Sequence, residues 1–458
     1  MKMKYYLIGC LFFLVSCSKD FLEKKPYNAL PVEDALKTEA DMLVALRGAY
    51  ASLRNVDLYG RTIPVLGDLM ADVTYQSASN SNRYTFYNQY GIPVVDGNAL
   101  GMWTAGYQTI LRANNILSTS IDGTANARQY KGEAHAIRAL VYFELVRFFA
   151  KPFTDNPTNN GIPVITTFDI TVKPKRNTIA EVYALILDDL TKAYNLMTQT
   201  TNSSQFSKYA AKALEAKVHL FKGDMTNART AALDVINNGG YTLLGSSNYL
   251  SYWQNPAPLT NKLETLFEVS SDGIANLGFD ALGYIYSQGG YGDMICASDL
   301  YTAYSATDVR RSLLTPGTRS GPAVFVNKYN NIVTDRDDTK VLRLSDVYLI
   351  AAEASLSSNE TDARSYLNAV ATRRDPSFSG FTSTGTTLLE DILTERRKEL
   401  AFEGHRFHDL NRLKRTINRS NDYPAAARTI PYPFDRRLLP IPRAEIDANP
   451  NMVQNPGY

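Results

Sequence analysis

Pairs of helix-length segments joined by tight turns recur along this chain, and that recurrence limits the fold more than any other feature. Ser207 to Lys222 and Met225 to Asn237 both repeat apolar side chains at helical spacing, and only Gly223-Asp224 separates them. So short a joint makes two helices neighbours in a helical hairpin, and Gly239-Gly240 ends the second one. The layout returns at Leu344 to Leu356 with Thr361 to Arg373, followed by Leu388 to Glu403. Upstream, Ala40 to Leu53, Trp103 to Leu117, Tyr130 to Phe149 and Ile179 to Met197 show the same period. The third of these is the strongest, with Ala134, Ile137, Val141, Leu145 and Phe148 in one stripe. Thr178 and Glu181 spell a capping box before the fourth. The predicted fold class is therefore mostly α, with about four helix pairs in a tetratricopeptide-like arrangement. The strict Trp-Leu-Gly-Tyr signature is absent, which leaves an unrelated helical bundle as the alternative.

Long stretches without that period separate the helices: Val56 to Leu100, Pro152 to Lys175, Tyr241 to Val341 and Asn418 to Tyr458. They are rich in aromatics and not of low complexity, which predicts ordered loops packed on the helical scaffold. Minor β-hairpin content is predicted, at Thr265 to Ser270 and Ala323 to Lys328.

The N-terminus bears on location. Lys2 and Lys4 precede a short apolar run, Leu7 to Val15, which ends in Leu14-Val15-Ser16-Cys17. About nine apolar residues are too few for a hydrocarbon core that needs roughly twenty, so the run reads as a signal segment. The cysteine after a small residue predicts a lipoprotein site, with residues 1–16 removed, Cys17 lipidated and 17–30 a polar tether. The remainder, 31–458, reads as a single helical domain. Its N-terminal part, 31–240, holds the first three repeats, and 241–458 holds the fourth repeat and the tail. Of three cysteines only Cys296 stays free, which excludes an intramolecular disulfide. The formal charge of +2 falls to near neutral once Lys2 and Lys4 leave, giving no electrostatic case for nucleic acid.

Several segments together carry a family resemblance. They are Glu133-Ala134-His135-Ala136-Ile137-Arg138 running on to Phe149, Trp103-x-x-x-Tyr107-x-x-Ile110-x-x-x-Asn114, and Arg343-Leu344-Ser345-Asp346-Val347-Tyr348. The most specific are Glu395-Arg396-Arg397-Lys398-Glu399-Leu400-Ala401-Phe402-Glu403-Gly404-His405-Arg406-Phe407-His408-Asp409 and the closing Leu439-Pro440-Ile441-Pro442 with Asn455-Pro456-Gly457-Tyr458. In order and spacing the chain resembles the SusD/RagB family of nutrient-binding outer-membrane lipoproteins. The resemblance implies a lipid-anchored binder on the extracellular face of the outer membrane, without catalysis and without a cofactor. Its implied partner is a SusC-like TonB-dependent transporter, to which it would deliver a captured oligosaccharide or polysaccharide. A peptide ligand, or a surface glycan-active enzyme, are the alternatives.

Chemistry in the residues themselves is sparse. Glu395, Glu399 and Glu403 recur at helical spacing with His405 and His408 beyond, but Arg396, Arg397, Lys398 and Arg406 surround them. Ion pairing along the helix accounts for this better than a metal, and the histidines lack zinc-motif spacing. Asp68 and Asp72 are the one suggestive carboxylate pair in a loop, and four residues apart they read as a loop tether. Tyrosine is the outlier, 29 against 19 Phe and 2 Trp, and an aromatic face with a polar tip suits amphipathic ligands. Trp103 reads as packing. Candidate ligand-binding residues are Tyr75, Arg83, Tyr84, Tyr87 and Tyr90 in the first loop and Tyr284, Tyr286 and Tyr291 in the third.

Overall fold

The computed structural model describes residues 36–458 apart from 168, 170, 255–262 and 334–336. The predicted leader, the tether and Cys17 lie outside the described residues. Helix α1 (Glu39–Leu53) starts where Thr38 accepts from the Asp41 amide while Asp41 accepts from the Thr38 amide. The first long stretch holds α2 (Thr62–Leu69), strand β1 (Thr74–Gln76) and α3 (Thr85–Gln89). Then follow α4 (Gly97–Leu117), α5 (Ala125–Phe149) and α6 (Ile179–Leu196), the last with both halves of its Thr178–Glu181 capping box formed. α7 (Lys208–Lys222) turns into α8 (Met225–Asn238) at Gly223, whose φ of 79° is the left-handed region that a side chain disfavours.

The third stretch carries α9 (Ser246–Gln254), β2 (Thr265–Val269), α10 (Leu282–Tyr286), β3 (Met294–Cys296), α11 (Ser298–Ala303), β4 (Leu314–Thr318), β5 (Pro322–Val326) and β6 (Thr339–Arg343). α12 (Leu344–Ser355), α13 (Glu360–Arg374), α14 (Gly385–Glu399) and α15 (Arg406–Arg412) complete the helical part. The tail adds β7 (Ile417–Asn418), β8 (Thr429–Ile430) and α16 (Arg443–Ala448). Short α9, α10 and α11 interrupt a stretch expected to be irregular. At five to nine residues, they are too brief for a helical period to register in sequence.

Each long helix packs on the next in a continuous series: α1 on α4, α4 on α5, then α6, α7, α8, α12 and α13. This is the stacked-pair arrangement of tetratricopeptide-like repeats. Burial at its centre exceeds the predicted stripe. In α5, Leu140, Tyr142, Phe143 and Val146 are as buried as Ala134, Ile137, Val141, Leu145 and Phe148, so the helix is enclosed on every side. Its polar residues are buried in pairs. Arg138 donates to Asp189 and Asn114, and Glu144 accepts from the Tyr59 hydroxyl at 2.6 Å and pairs with Arg147. Among the described residues the strands form four antiparallel two-stranded pairs, β1–β3, β2–β6, β4–β5 and β7–β8. The pair β1–β3, in register Thr74 to Cys296, joins the first long stretch to the third.

Candidate ligand-binding site

Through that strand pair the two tyrosine-rich loops meet. Past its end, Ser77 donates its amide to the Asp293 carbonyl at 2.7 Å, and Ser81 donates amide and hydroxyl to the Asp293 carboxylate. Gly290 lies directly against the backbone of Tyr284, and Tyr291 donates its amide to the Tyr284 carbonyl at 2.6 Å, which folds the 284–292 segment back on itself. The result is an aromatic ledge. The Phe279 ring lies 5.0 Å from that of Tyr284, which is 5.9 Å from Tyr291, and the Arg83 guanidinium stacks 4.2 Å over Tyr291. Phe279 is 67% exposed and Phe86, on the first loop, 53%.

Charge tethers the ledge to the scaffold. Buried Arg61 pairs closely with Asp280 and donates to the Tyr84 hydroxyl at 2.8 Å. Arg319 reaches in from beyond β4 and donates to the carbonyls of Tyr291 and Ser79.

Of the eight predicted ligand residues, the structure brings Arg83, Tyr284 and Tyr291 together, all part-exposed. Four others are core and present no ring face to solvent, a correction to the reading of those loops. Tyr84 and Tyr87 pack edge to face at 6.1 Å, Tyr87 donating to Asp96. Tyr90 donates to the Met70 carbonyl, and Tyr286 is stacked on Tyr329 at 6.1 Å. Tyrosines placed to anchor loops to a core and tyrosines placed to meet a ligand have the same sequence signature, an aromatic among polar neighbours. Tyr75 is half-buried, but its ring neighbour is Tyr423 at 6.0 Å, and it packs with Ile295, Ala323 and Phe325 apart from the ledge. Sequence reasoning missed Phe279, Phe86, Arg61, Asp280 and Arg319. Gly278 before Phe279 was the available hint of a turn that exposes a ring.

The acidic and basic residues of the C-terminal signature do other work, and with different partners from those expected. Glu399 ends α14, and Glu403 lies beyond it. Glu399 is fully buried and accepts from Arg310, Arg343 and Arg374 at 2.9 to 3.1 Å. Burial opposes its charge, yet these guanidiniums hold the carboxyl well below the usual range. Glu395 accepts from Arg310, and Glu403 from Arg343 and Lys328. Arg396 turns instead to Asp346 and Asp409. His405 accepts from Lys217 at 2.9 Å, and His408 is edge-on to Phe148 at 4.5 Å. Burial and nearby cations push both imidazoles down. Among the described residues no three His, Cys, Asp or Glu side chains converge as a metal site would need.

The Asp68–Asp72 pair ties α2 to this signature. Asp68 accepts from the Gly404 amide at 2.9 Å, and Asp72 pairs with Arg406 and Arg397. Burial pushes the Asp68 carboxyl up, whereas Asp72, equally buried, is held below the ordinary range by its two arginines. Trp103, nearly buried between Tyr107 and Phe149, edges a separate groove of about 340 Å³. Buried Cys296 has its thiol pushed up by burial, the state of a packing residue.

A stacked helical scaffold whose long loops build an aromatic ledge defines a helical-repeat protein. Comparison with known sequences narrows that class. Residues 301–458 match the model of the SusD family, and residues 20–220 match that of a family described as "Starch-binding associating with outer membrane". A SusD superfamily structure from Bacteroides thetaiotaomicron is 30% identical, aligns over 92% of this chain and 100% of its own, and superposes with a TM-score of 0.86. Another from Bacteroides vulgatus is 29% identical over 92% and 100%, with the same TM-score of 0.86. SusD-like protein P2 of Formosa agariphila is 28% identical over the whole of both chains. The chain belongs to the SusD/RagB family, whose members are binding proteins associated with the outer membrane and nutrient uptake.

Proposed function

We propose that this protein is a non-catalytic, lipid-anchored binder on the outer face of the outer membrane. It captures an extracellular oligosaccharide or polysaccharide and delivers it to a partner TonB-dependent transporter. The observation that carries this reading is the ledge of Phe279, Tyr284, Tyr291 and Arg83. Its rings offer faces on which the CH side of a sugar ring packs, and its guanidinium offers donors for hydroxyls. The Leu14-Val15-Ser16-Cys17 sequence supports the anchor, and family membership supports capture over chemistry.

Glycan-array screening followed by titration calorimetry on the chain from Ser18 onward tests the reading. Tyr291→Ala should weaken the ligand found by roughly five- to a hundredfold, the equivalent of the ~1–3 kcal/mol that a base stacked on an aromatic ring contributes. Binding to peptides and to no glycan would replace the sugar with a peptide ligand. Release of shortened product from a labelled glycan by the pure protein would overturn the non-catalytic assignment.

A further inference from the structure

One arginine of the ledge has few commitments within the protein, and that bears on the chemistry of its ligand. Three arginines gather there. Arg61 is buried and committed, its guanidinium spent on Asp280 and the Tyr84 hydroxyl. Arg319 is committed to the carbonyls of Tyr291 and Ser79. Arg83 differs. One face of its guanidinium is covered by the Tyr291 ring at 4.2 Å, which fixes its plane. Of its five N–H donors, one reaches the Ser81 hydroxyl, at a long 3.4 Å. Its nearest carboxylate oxygen is Asp280 Oδ1 at 3.8 Å, outside hydrogen-bond distance, and that same oxygen already takes Arg61.

The other acids nearby are engaged away from Arg83. Asp293 is buried and accepts from the amide and hydroxyl of Ser81, and Asp96 is buried as the cap of α4. Asp57, half-buried, also lies beside Arg61, which favours its charge against the cost of burial. Among the described residues, Asp280 is the acid that reaches the surface between these arginines, 51% exposed at its side chain.

From this arrangement we infer that the ligand is an anionic glycan, one whose repeat carries a carboxylate or a sulfate ester, with Arg83 as the residue that reads the anion. The inference rests on the saccharide-capture reading above and sharpens it. A guanidinium held flat by an aromatic ring presents its N–H edge as a fork, and that fork matches two oxygens of a carboxylate or sulfate. The neighbouring rings of Tyr284 and Phe279 then take the apolar faces of the sugar units beside the charged one. Ring stacking alone would suit a neutral sugar equally well. The plane-locked cation, with Asp280 no nearer than 3.8 Å, is what favours the charged sugar over the neutral one.

The test is titration calorimetry of the chain from Ser18 onward with three probes: oligogalacturonate for the carboxylate, oligosaccharides of chondroitin sulfate for the sulfate, and laminari-oligosaccharides as the neutral control. At least one anionic probe should bind ten times or more tighter than the neutral one. Its affinity should fall severalfold between about 50 mM and 500 mM NaCl, as screening of a part-exposed ion pair requires. Arg83→Met should lose most of that preference and its salt dependence, and Arg83→Lys should restore part of both. Arg83 is 29% exposed at its side chain, so thermal melting should show these variants folded. A neutral glycan bound tightest, or anionic binding that is insensitive to salt and to Arg83→Met, would overturn the inference while leaving saccharide capture intact. Failure of every saccharide to bind would overturn the capture reading itself.

Discussion

Replacing Glu399 by glutamine removes one charge and almost no volume from a fully buried position. Five acids, Glu264, Asp308, Glu395, Glu399 and Glu403, meet five cations there, Arg310, Arg343, Arg374, Lys328 and Lys398. The cluster is balanced. Glu399→Gln leaves one positive charge uncompensated among groups shut off from water, and breaking a buried pair in this way costs about 3–5 kcal/mol. Urea unfolding followed by far-UV circular dichroism at pH 7 reads that loss as a shift of midpoint at constant slope. Adding Arg374→Met to Glu399→Gln restores the balance, so the double variant should lose less than the sum of the two singles. As a reference, Lys192→Gln breaks a half-exposed pair with Asp188 and should change stability by less than about 1 kcal/mol. A Glu399→Gln loss no greater than that of Lys192→Gln, or strict additivity with Arg374→Met, would refute the balanced-cluster argument.

Other consequences are open to measurement. Against the cost of burial, Lys217 and Arg396 hold Asp346 at about 2, below its ordinary 3.8. The unfolded chain therefore binds the extra proton, so this contribution is complete above roughly pH 5 and lost as pH falls toward 2; unfolding midpoints should drop over that window, by about 2 kcal/mol from this group alone. Tyr286→Ala should destabilise by about 3–5 kcal/mol as a large core truncation, and a binding defect without a stability loss would reverse its assignment to the core. Gly404→Ala would bring a Cβ within 2.7 Å of Pro64 Cα at a φ of 82°, and should cost at least ~2 kcal/mol; a neutral substitution would show that α2 can move away. Cys17→Ala should release the protein from the membrane with ligand affinity unchanged, and continued fractionation with the outer membrane in cells lacking the transporter would refute the lipid reading.

Helices were legible wherever apolar spacing persisted over several turns, which is why α5, α6 and the α7–α8 hairpin lie within a few residues of their predicted bounds. What the sequence hides is which polar residues go inside. Glu395 and Glu399 on α14 read as paired with the basic residues beside them in sequence, yet their partners come from as far away as Arg310 and Arg343. Local periodicity carries no trace of such distant pairing. The candidate site was half legible for the same reason. Loop tyrosines could be found by composition, but whether Tyr84 anchors the loop or Tyr291 faces outward depends on a strand pair between residues some 220 positions apart, Thr74 with Cys296.

The closure of the two chain ends on each other sets the order in which the molecule can form. Asp68 waits for the Gly404 amide, the carbonyls of Leu69, Ala71 and Asn88 for the Arg419 guanidinium, and Arg176 for Asn455. Contacts spanning more than 250 residues make late closure and slow folding the rule. A chain exported from its N-terminus would therefore emerge with its first loop unable to settle until Gly404 and Arg419 had crossed. That delay leaves the first loop open for most of the passage, while the helices beside it can already pack on one another. A stop codon at or before Arg419 would accordingly do more than trim the tail: it would remove the guanidinium and the Tyr423 hydroxyl for which the carbonyls of Leu69, Ala71, Asn88 and Thr74 are waiting.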